Sequence, residues 1–327
     1  MQFAAITRVL NEADIIEAFA RHTAAYVSHH VFMDNGSADG TIEILQKLAA
    51  EGLPISVYQS RAVTFNESDA LTDLYKQACA DINPTWILCL DADEFVDDRQ
   101  LQNGLKGYLQ EVASQTDCPD CIKVPMVNYI ATSFDDPEQR IIPLRMRRRR
   151  SPSDAYKIIV RGGLKSEGLT IEHGSHWAKL SARKIREVVE PRIWLAHYSE
   201  RSPYQYIMKF VRGWSKVLAS GQVEIKNRTA YHYKGPFEHL RDRPSNLLRS
   251  ERFMSFKDEN DSLTDDPIIY RGGNLKYTPK TDEPMRAVRS LMGLIDDLAT
   301  RHGILVDEFP FVRAAVQDWE QKKDKLF

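Results

Sequence analysis

Over the first 115 residues, short apolar runs alternate with stretches in which apolar side chains recur every three or four positions. Residues 3–9, 31–33, 55–58 and 86–90 read as strands. Between and after them, Ile15, Ile16, Phe19 and Tyr26, then Ile42, Leu45 and Leu48, then residues 68–80, then Leu101, Leu105, Tyr108 and Val112 follow helical spacing. Asn11 stands where it would cap the first helix, and Gly52 closes the second. Strands and helices alternating at this length imply parallel strands joined by right-handed crossovers. In such sheets ligands bind beyond the carboxyl ends of the strands, where Asp34 and Asp91 both stand.

Beyond that segment the pattern loosens. Residues 121–129, 144–147, 157–161 and 192–195 look like strands among long polar stretches. From Ser202 on, helices are expected over 203–218, 237–253, 284–302 and 312–323, with an exposed loop at 257–261. The expected organisation is an α/β domain over residues 1–220 and a helical C-terminal extension over 221–327, within the usual domain sizes. A 43% hydrophobic, 28% charged composition supports a real core, and a net charge of −2 gives no whole-chain case for nucleic-acid binding. No apolar run approaches the ~20 residues of a membrane span, and the N-terminus lacks a basic, apolar leader. A cytoplasmic location is expected, compatible with peripheral membrane contact. Cys79 and Cys89 read as small core residues, while Cys118 and Cys121 lack the two further ligands a zinc site needs. The basic run 145–150 reads as a solvated strand end balanced by Asp135, Asp136 and Glu138; an anion-binding role for a phosphorylated acceptor or lipid is the alternative.

The segment WILCLDADEFV, residues 86–96, sets Asp91, Asp93 and Glu94 at the end of an apolar run. Carboxylates packed so closely repel, so positive charge must neutralise them, whether a metal ion, an arginine side chain or only solvent screening. Upstream lie Thr7-Arg8-Val9-Leu10-Asn11-Glu12 and Asp34-Asn35-Gly36-Ser37-Ala38-Asp39-Gly40-Thr41; downstream lies Ala196-His197-Tyr198-Ser199-Glu200-Arg201-Ser202, with Lys209 following. This set resembles the GT-A glycosyltransferases, specifically the family-2-like bacterial group, over about the first hundred residues and again near His197. The resemblance implies a Rossmann-like, mostly parallel sheet flanked by helices. It implies that Asp93 binds a metal directly, that Asp91 meets the ribose or the metal through water, and that Asp34 accepts from the nucleotide base.

The chemistry agrees with that resemblance. A nucleotide-sugar donor leaves as a diphosphate, whose developing charge is met by Mn²⁺ or Mg²⁺ on a few carboxylates. The expected metal ligands are Asp91, Asp93 and His197, whose imidazole suits Mn²⁺. The expected nucleotide contacts are Thr7, Arg8, Asn11, Glu12, Asp34, Asn35, Asp91, Arg201 and Lys209. Ser202, Pro203 and Gln205 form a capping box, and that helix start is a suitable place for phosphate. In the helix, Ile207, Phe210 or Val211, Trp214 and Leu218 mark the expected buried face. Lys209, Arg212 and Lys216 fall on another, with Lys216 solvated. An inverting transferase also needs a carboxylate to take the acceptor proton. Glu172 is the expected base, with His176 beside it, and Glu167 and Asp136 are rivals.

The expected function is metal-dependent, inverting transfer of a sugar from a nucleotide diphosphate, UDP-linked, to a hydroxyl of a saccharide or lipid-linked acceptor. Polysaccharide, lipopolysaccharide or glycoprotein assembly would all be compatible. A sugar-phosphate nucleotidyltransferase is the first alternative, but residues 7–14 lack the glycine-rich loop that would hold a triphosphate. A non-catalytic carbohydrate-binding protein of the same fold is the second.

Overall fold

The computed structural model describes all residues except 61, 63–66, 133, 244–262, 281–282 and 322–327. β1 (Phe3–Val9), α1 (Ile16–Thr23), β2 (His29–Asp34), α2 (Thr41–Ala50), β3 (Ile55–Gln59), α3 (Glu67–Asp81) and β4 (Trp86–Cys89) alternate as the sequence pattern requires. β1 pairs in parallel with β2 and β4, and β2 with β3. β1 and β4 are buried almost throughout because apolar residues line both faces, whereas β3 is an edge strand whose Val57 and Tyr58 stay exposed. Phe19, Leu45 and Leu48 from α1 and α2 pack on one face of the sheet, and Leu71, Leu74 and Tyr75 from α3 pack on the other.

After β4 the chain turns sharply into β5 (Glu94–Asp97), then α4 (Gly104–Ala113), the long β6 (Cys121–Ile130), α5 (Ile142–Arg145), β7 (Arg148–Arg149) and β8 (Tyr156–Arg161). β8 runs antiparallel between β4 and β6. A small hairpin, β9 (Leu169–Ile171) and β10 (Ala178–Leu180), follows, and then β11 (Glu187–Val189) joins β6. β12 (Trp194–His197) lies between β5 and β6, which brings His197 opposite Glu94. The helices α6 (Pro203–Ala219), α7 (Gln222–Lys226), α8 (Lys234–Asp242), α9 (Glu283–Glu308) and α10 (Pro310–Gln321) complete the chain. None of the described helices is long and apolar enough to cross a membrane.

Several local expectations are corrected. Asn11 caps no helix: it adopts φ 60°, and α1 begins five residues later without a side-chain cap. Residues 142–145 form a short helix with a proline in its first turn, so no strand forms at 144–147 and β7 begins only at Arg148. The helix expected over 237–253 is seen as α8; its remainder and the loop at 257–261 lie outside the described residues.

The C-terminal part is not wholly helical. β13 (Thr264–Asp265) adds to β7, and the strap that follows crosses to α1, where the backbone N–H groups of Lys276, Tyr277 and Thr278 donate to the fully buried Glu17 carboxylate. The basic run finds its acids here: Arg147 pairs with Asp265 and Arg149 with Asp266 at 2.7 Å, in place of Asp136 and Glu138. All four cysteines are free thiols.

A candidate metal and nucleotide site

Three strand exits converge on a cavity of about 230 Å³. β1 supplies Arg8 and the residues through Glu12, β2 supplies Asn35, and the β4–β5 turn supplies Asp91, Ala92 and Asp93. α3 adds Glu67 and β12 adds His197. One face of α6 closes the wall with Gln205, Lys209, Arg212, Gly213 and Lys216. Tyr233 forms part of the roof. A Cβ on Gly213 would lie 2.7 Å from its ring, so only glycine lets the two approach.

Part of the charge in the β4–β5 turn is neutralised from the neighbouring strand β8. Lys157 on β8 is 1% exposed, and its ammonium lies 2.6 Å from Asp91 Oδ2 and 3.1 Å from Glu94 Oε1. Burial alone would push this amine down, but the two carboxylates outweigh it and hold it protonated. Burial pushes Glu94 up to about 7 despite Lys157. Glu94 Oε2 also accepts from the Asp91 N–H at 2.9 Å, so the turn is tied on both sides. An apolar run with a lone lysine, YKIIVR, was the signal available.

Asp93 faces the other way. Its Oδ2 lies 3.5 Å from His197 Nε2 and 3.8 Å from both Lys209 Nζ and Arg201 Nη1. Burial works against its charge, but His197, Lys209 and Arg201 hold its carboxyl well below the usual range. His197 Nδ1 is 2.8 Å from Asn128 Oδ1 on β6. An amide oxygen only accepts, so Nδ1 carries a proton and Nε2 is the ring nitrogen turned toward Asp93. Ligand atoms of Asp93, Glu94 and His197 lie within 4.8 Å of one another. Two oxygens and an imidazole nitrogen suit Mn²⁺, so the donor set fits a divalent cation. Asp91, expected among the ligands, lies outside this group, held by Lys157.

On the basic side, Arg201 is enclosed. Nε and Nη2 meet Asp14 at 2.7 and 3.1 Å, Nη2 also reaches Glu12, and Nη1 donates to the Tyr198 carbonyl. It does not line the cavity; its guanidinium is consumed by protein acids and fixes Glu12 and Asp93 instead. Burial, with Asp93 and Asp14 adding, pushes Glu12 up to about 7 although Arg201 pulls it down. Lys209 does border the cavity. The expectation for α6 is reversed in part: Arg212 and Lys216 are buried, while Leu218 is 47% exposed. The cavity and α9 recruit the polar face, with Arg212 Nη1 donating to the Ser290 carbonyl.

Other expected contacts lie elsewhere. Thr7 is fully buried against His30 at 2.8 Å. Both oxygens of Asp34 are taken by the N–H groups of Gly36 and Ser37, so it shapes the turn and does not border the cavity. Its neighbour Asn35 does, with a buried Nδ2 that has no partner among the described residues. Asn11 bridges Ala38 and, through Nδ2, Ser290 at 2.7 Å. Neither Glu172 nor His176 lines the cavity: Glu172 pairs with Lys179 and His176 bonds the Tyr156 carbonyl. The carboxylates that do line it are Glu12, Glu67, Asp91 and Asp93.

Residues 5–160 match the family model described as glycosyl transferase family 2. No curated protein matches the chain. Among solved structures, it is similar to S. aureus TarS, at 16% identity over 92% of this chain and 82% of that one, with a TM-score of 0.40. It is also similar to the mannosyltransferase PcManGT from Pyrobaculum calidifontis, solved with GDP-Man and Mn²⁺, at 11% identity over 98% and 88%, TM-score 0.39. A third is glucosyl-3-phosphoglycerate synthase from Mycobacterium tuberculosis, with Mn²⁺ and UDP, at 15% identity over 38% and 44%, TM-score 0.26. These superpositions are loose. Over residues 5–160, then, the chain carries a match to glycosyl transferase family 2, and that match supports a glycosyltransferase.

Proposed function

We propose that the chain transfers a sugar, with inversion, from a nucleotide diphosphate donor, UDP-linked in the first instance, to a hydroxyl of a saccharide or lipid-linked acceptor, and that the reaction depends on Mn²⁺ or Mg²⁺. The observation that carries this reading is the meeting of Asp93 with Nε2 of His197 in a cavity at the carboxyl ends of β1 and β4. Asp93 and His197 would hold the cation, with Glu94 behind them, and it would supply charge to stabilise the departing diphosphate. Lys209, on the cavity wall beside Asp93, is placed to bind a phosphate oxygen. Asn35 offers its unpartnered Nδ2 to a base or ribose oxygen. Arg201 acts through Glu12 and Asp93 as a positioning residue. With Glu172 turned to Lys179, the carboxylates in reach of an acceptor hydroxyl are Glu12 and Glu67.

Nucleotide sugars screened with a panel of sugar and lipid acceptors test the reading. Metal-dependent release of nucleoside diphosphate with product formation is expected for one donor. Release of pyrophosphate from a nucleoside triphosphate and a sugar phosphate would instead support nucleotidyl transfer. Nucleotide binding without turnover of any donor would leave a binding protein.

A further inference from the structure

The cavity has two ends of different chemistry. At one, Lys209 and the enclosed Arg201 stand against Asp93. At the other, Arg8, Arg212 and Lys216 come together. Lys216 is 6% exposed, borders the cavity, and among the described residues no carboxylate lies within ion-pair distance of its ammonium. Beside it, Arg8 Nε and Arg212 Nε are buried and, among the described residues, without a partner; Arg212 Nη1 is held by the Ser290 carbonyl, and Arg8 Nη1 lies 3.8 Å from Glu67. A buried cation with no counter-charge is unfavourable unless a ligand supplies one.

We propose that Arg8, Arg212 and Lys216 form an anion subsite that takes a phosphoryl group, at the opposite end of the cavity from Asp93 and His197. Three cationic donors on one enclosed wall match phosphoryl oxygens, and the guanidinium forks can each offer paired N–H groups. The charged groups acting on Lys216 are Arg212 on its own helix, Arg8 from β1, Asp34 from β2 and Asp297 from α9. Asp34 is already spent on two backbone N–H groups. Burial, then Arg8 and Arg212, push Lys216 down to about 7, with Asp297 and Asp34 pulling weakly the other way. Filling the subsite with an anion raises it again, so above neutral pH the protein takes up a proton as the phosphoryl group binds.

The phosphoryl group belongs either to the nucleotide donor or to a phosphate-bearing second substrate. Calorimetry at about pH 8 with EDTA present, in two buffers of different ionisation enthalpy, reads the proton directly. Inorganic phosphate should bind the wild-type protein with uptake of close to one proton. Lys216→Met should weaken that binding at least tenfold and abolish the uptake, and Lys216→Arg should bind without uptake. UDP producing the same uptake, and competing with phosphate, assigns the group to the donor; phosphate still binding with uptake to UDP-saturated protein assigns it to a second substrate. Inorganic phosphate needs no sugar donor, so the subsite can stand even where no transfer is found. Failure of wild-type protein to bind phosphate, or equal affinity in folded Lys216→Met, overturns the proposal. So does an equal loss for uridine and UDP in that variant, which would mark Lys216 as a base contact.

Discussion

Lys157 shows how one side chain can settle a question of charge. Three carboxylates in four positions at a strand end call for a cation, and a buried lysine on the neighbouring strand β8 supplies it for Asp91 and Glu94. Removing one member of a buried ion cluster leaves the others charged and desolvated, a loss of about 3–5 kcal/mol. Lys157→Met should therefore lower the free energy of urea unfolding by that order at neutral pH; a change below about 1 kcal/mol would mean the turn is held by other contacts. At this scale the sequence was partly readable. Asp93 and His197 stand at strand ends, where the local pattern puts them, and both reach the cavity. The Lys157 contact was not readable, because nothing local says which face of β8 meets which strand. The partners of Asp34 and Arg201 were not readable for the same reason: the Gly36–Ser37 backbone and Asp14 meet them through turn and packing geometry that residue type does not encode.

At the scale of elements, α6 is the clearest case. Its start was legible, because Ser202 Oγ accepts from the Gln205 N–H at 3.1 Å with proline in the first turn. Its buried face was not, because a polar cavity on one side and α9 on the other draw in Arg212 and Lys216. The strap after β13 was also invisible to periodicity, since it is extended and joined to α1 through backbone groups. One histidine reports on that junction. His22 is fully buried; its Nδ1 accepts the Arg271 N–H at 3.1 Å and its Nε2 donates to the Val96 carbonyl at 2.8 Å. Burial pushes it down from 6.5 to about 4. The unfolded chain thus binds a proton below pH 6.5 that the folded chain refuses, so stability is lost as pH falls, by about 1.4 kcal/mol per unit. From pH 7 to pH 5 its share is about 2 kcal/mol. His22→Gln keeps a donor and an acceptor but does not titrate, and urea unfolding at the two values should show a pH difference smaller by that amount. An unchanged difference would remove His22 as the source.

For the whole molecule, the division at residue 220 rests on the helical pattern of the C-terminal part, but charged contacts cross it. Arg286 of α9 pairs with Asp14 at 2.9 Å and with Asp39 at 3.0 Å, and the Glu17 carboxylate accepts from Arg21 and from residues 276–278. A fragment of residues 1–220 would strand these buried acids, a loss on the order of the 5–15 kcal/mol that holds a typical domain folded. It should show no cooperative melt; a melt within a few degrees of the full chain would restore the two-domain division. The alternating strand–helix pattern carried the architecture of the N-terminal half because each βα unit is a local event. The C-terminal contacts join residues more than 240 apart, beyond any local pattern. The most direct test of the central claim is UDP affinity measured with Mn²⁺ and with EDTA, in the wild-type protein and in Asp93→Asn. Mn²⁺ should tighten UDP binding at least tenfold in the wild type and not at all in the variant. Equal UDP affinity with and without Mn²⁺ in the wild-type protein would contradict a metal-held donor.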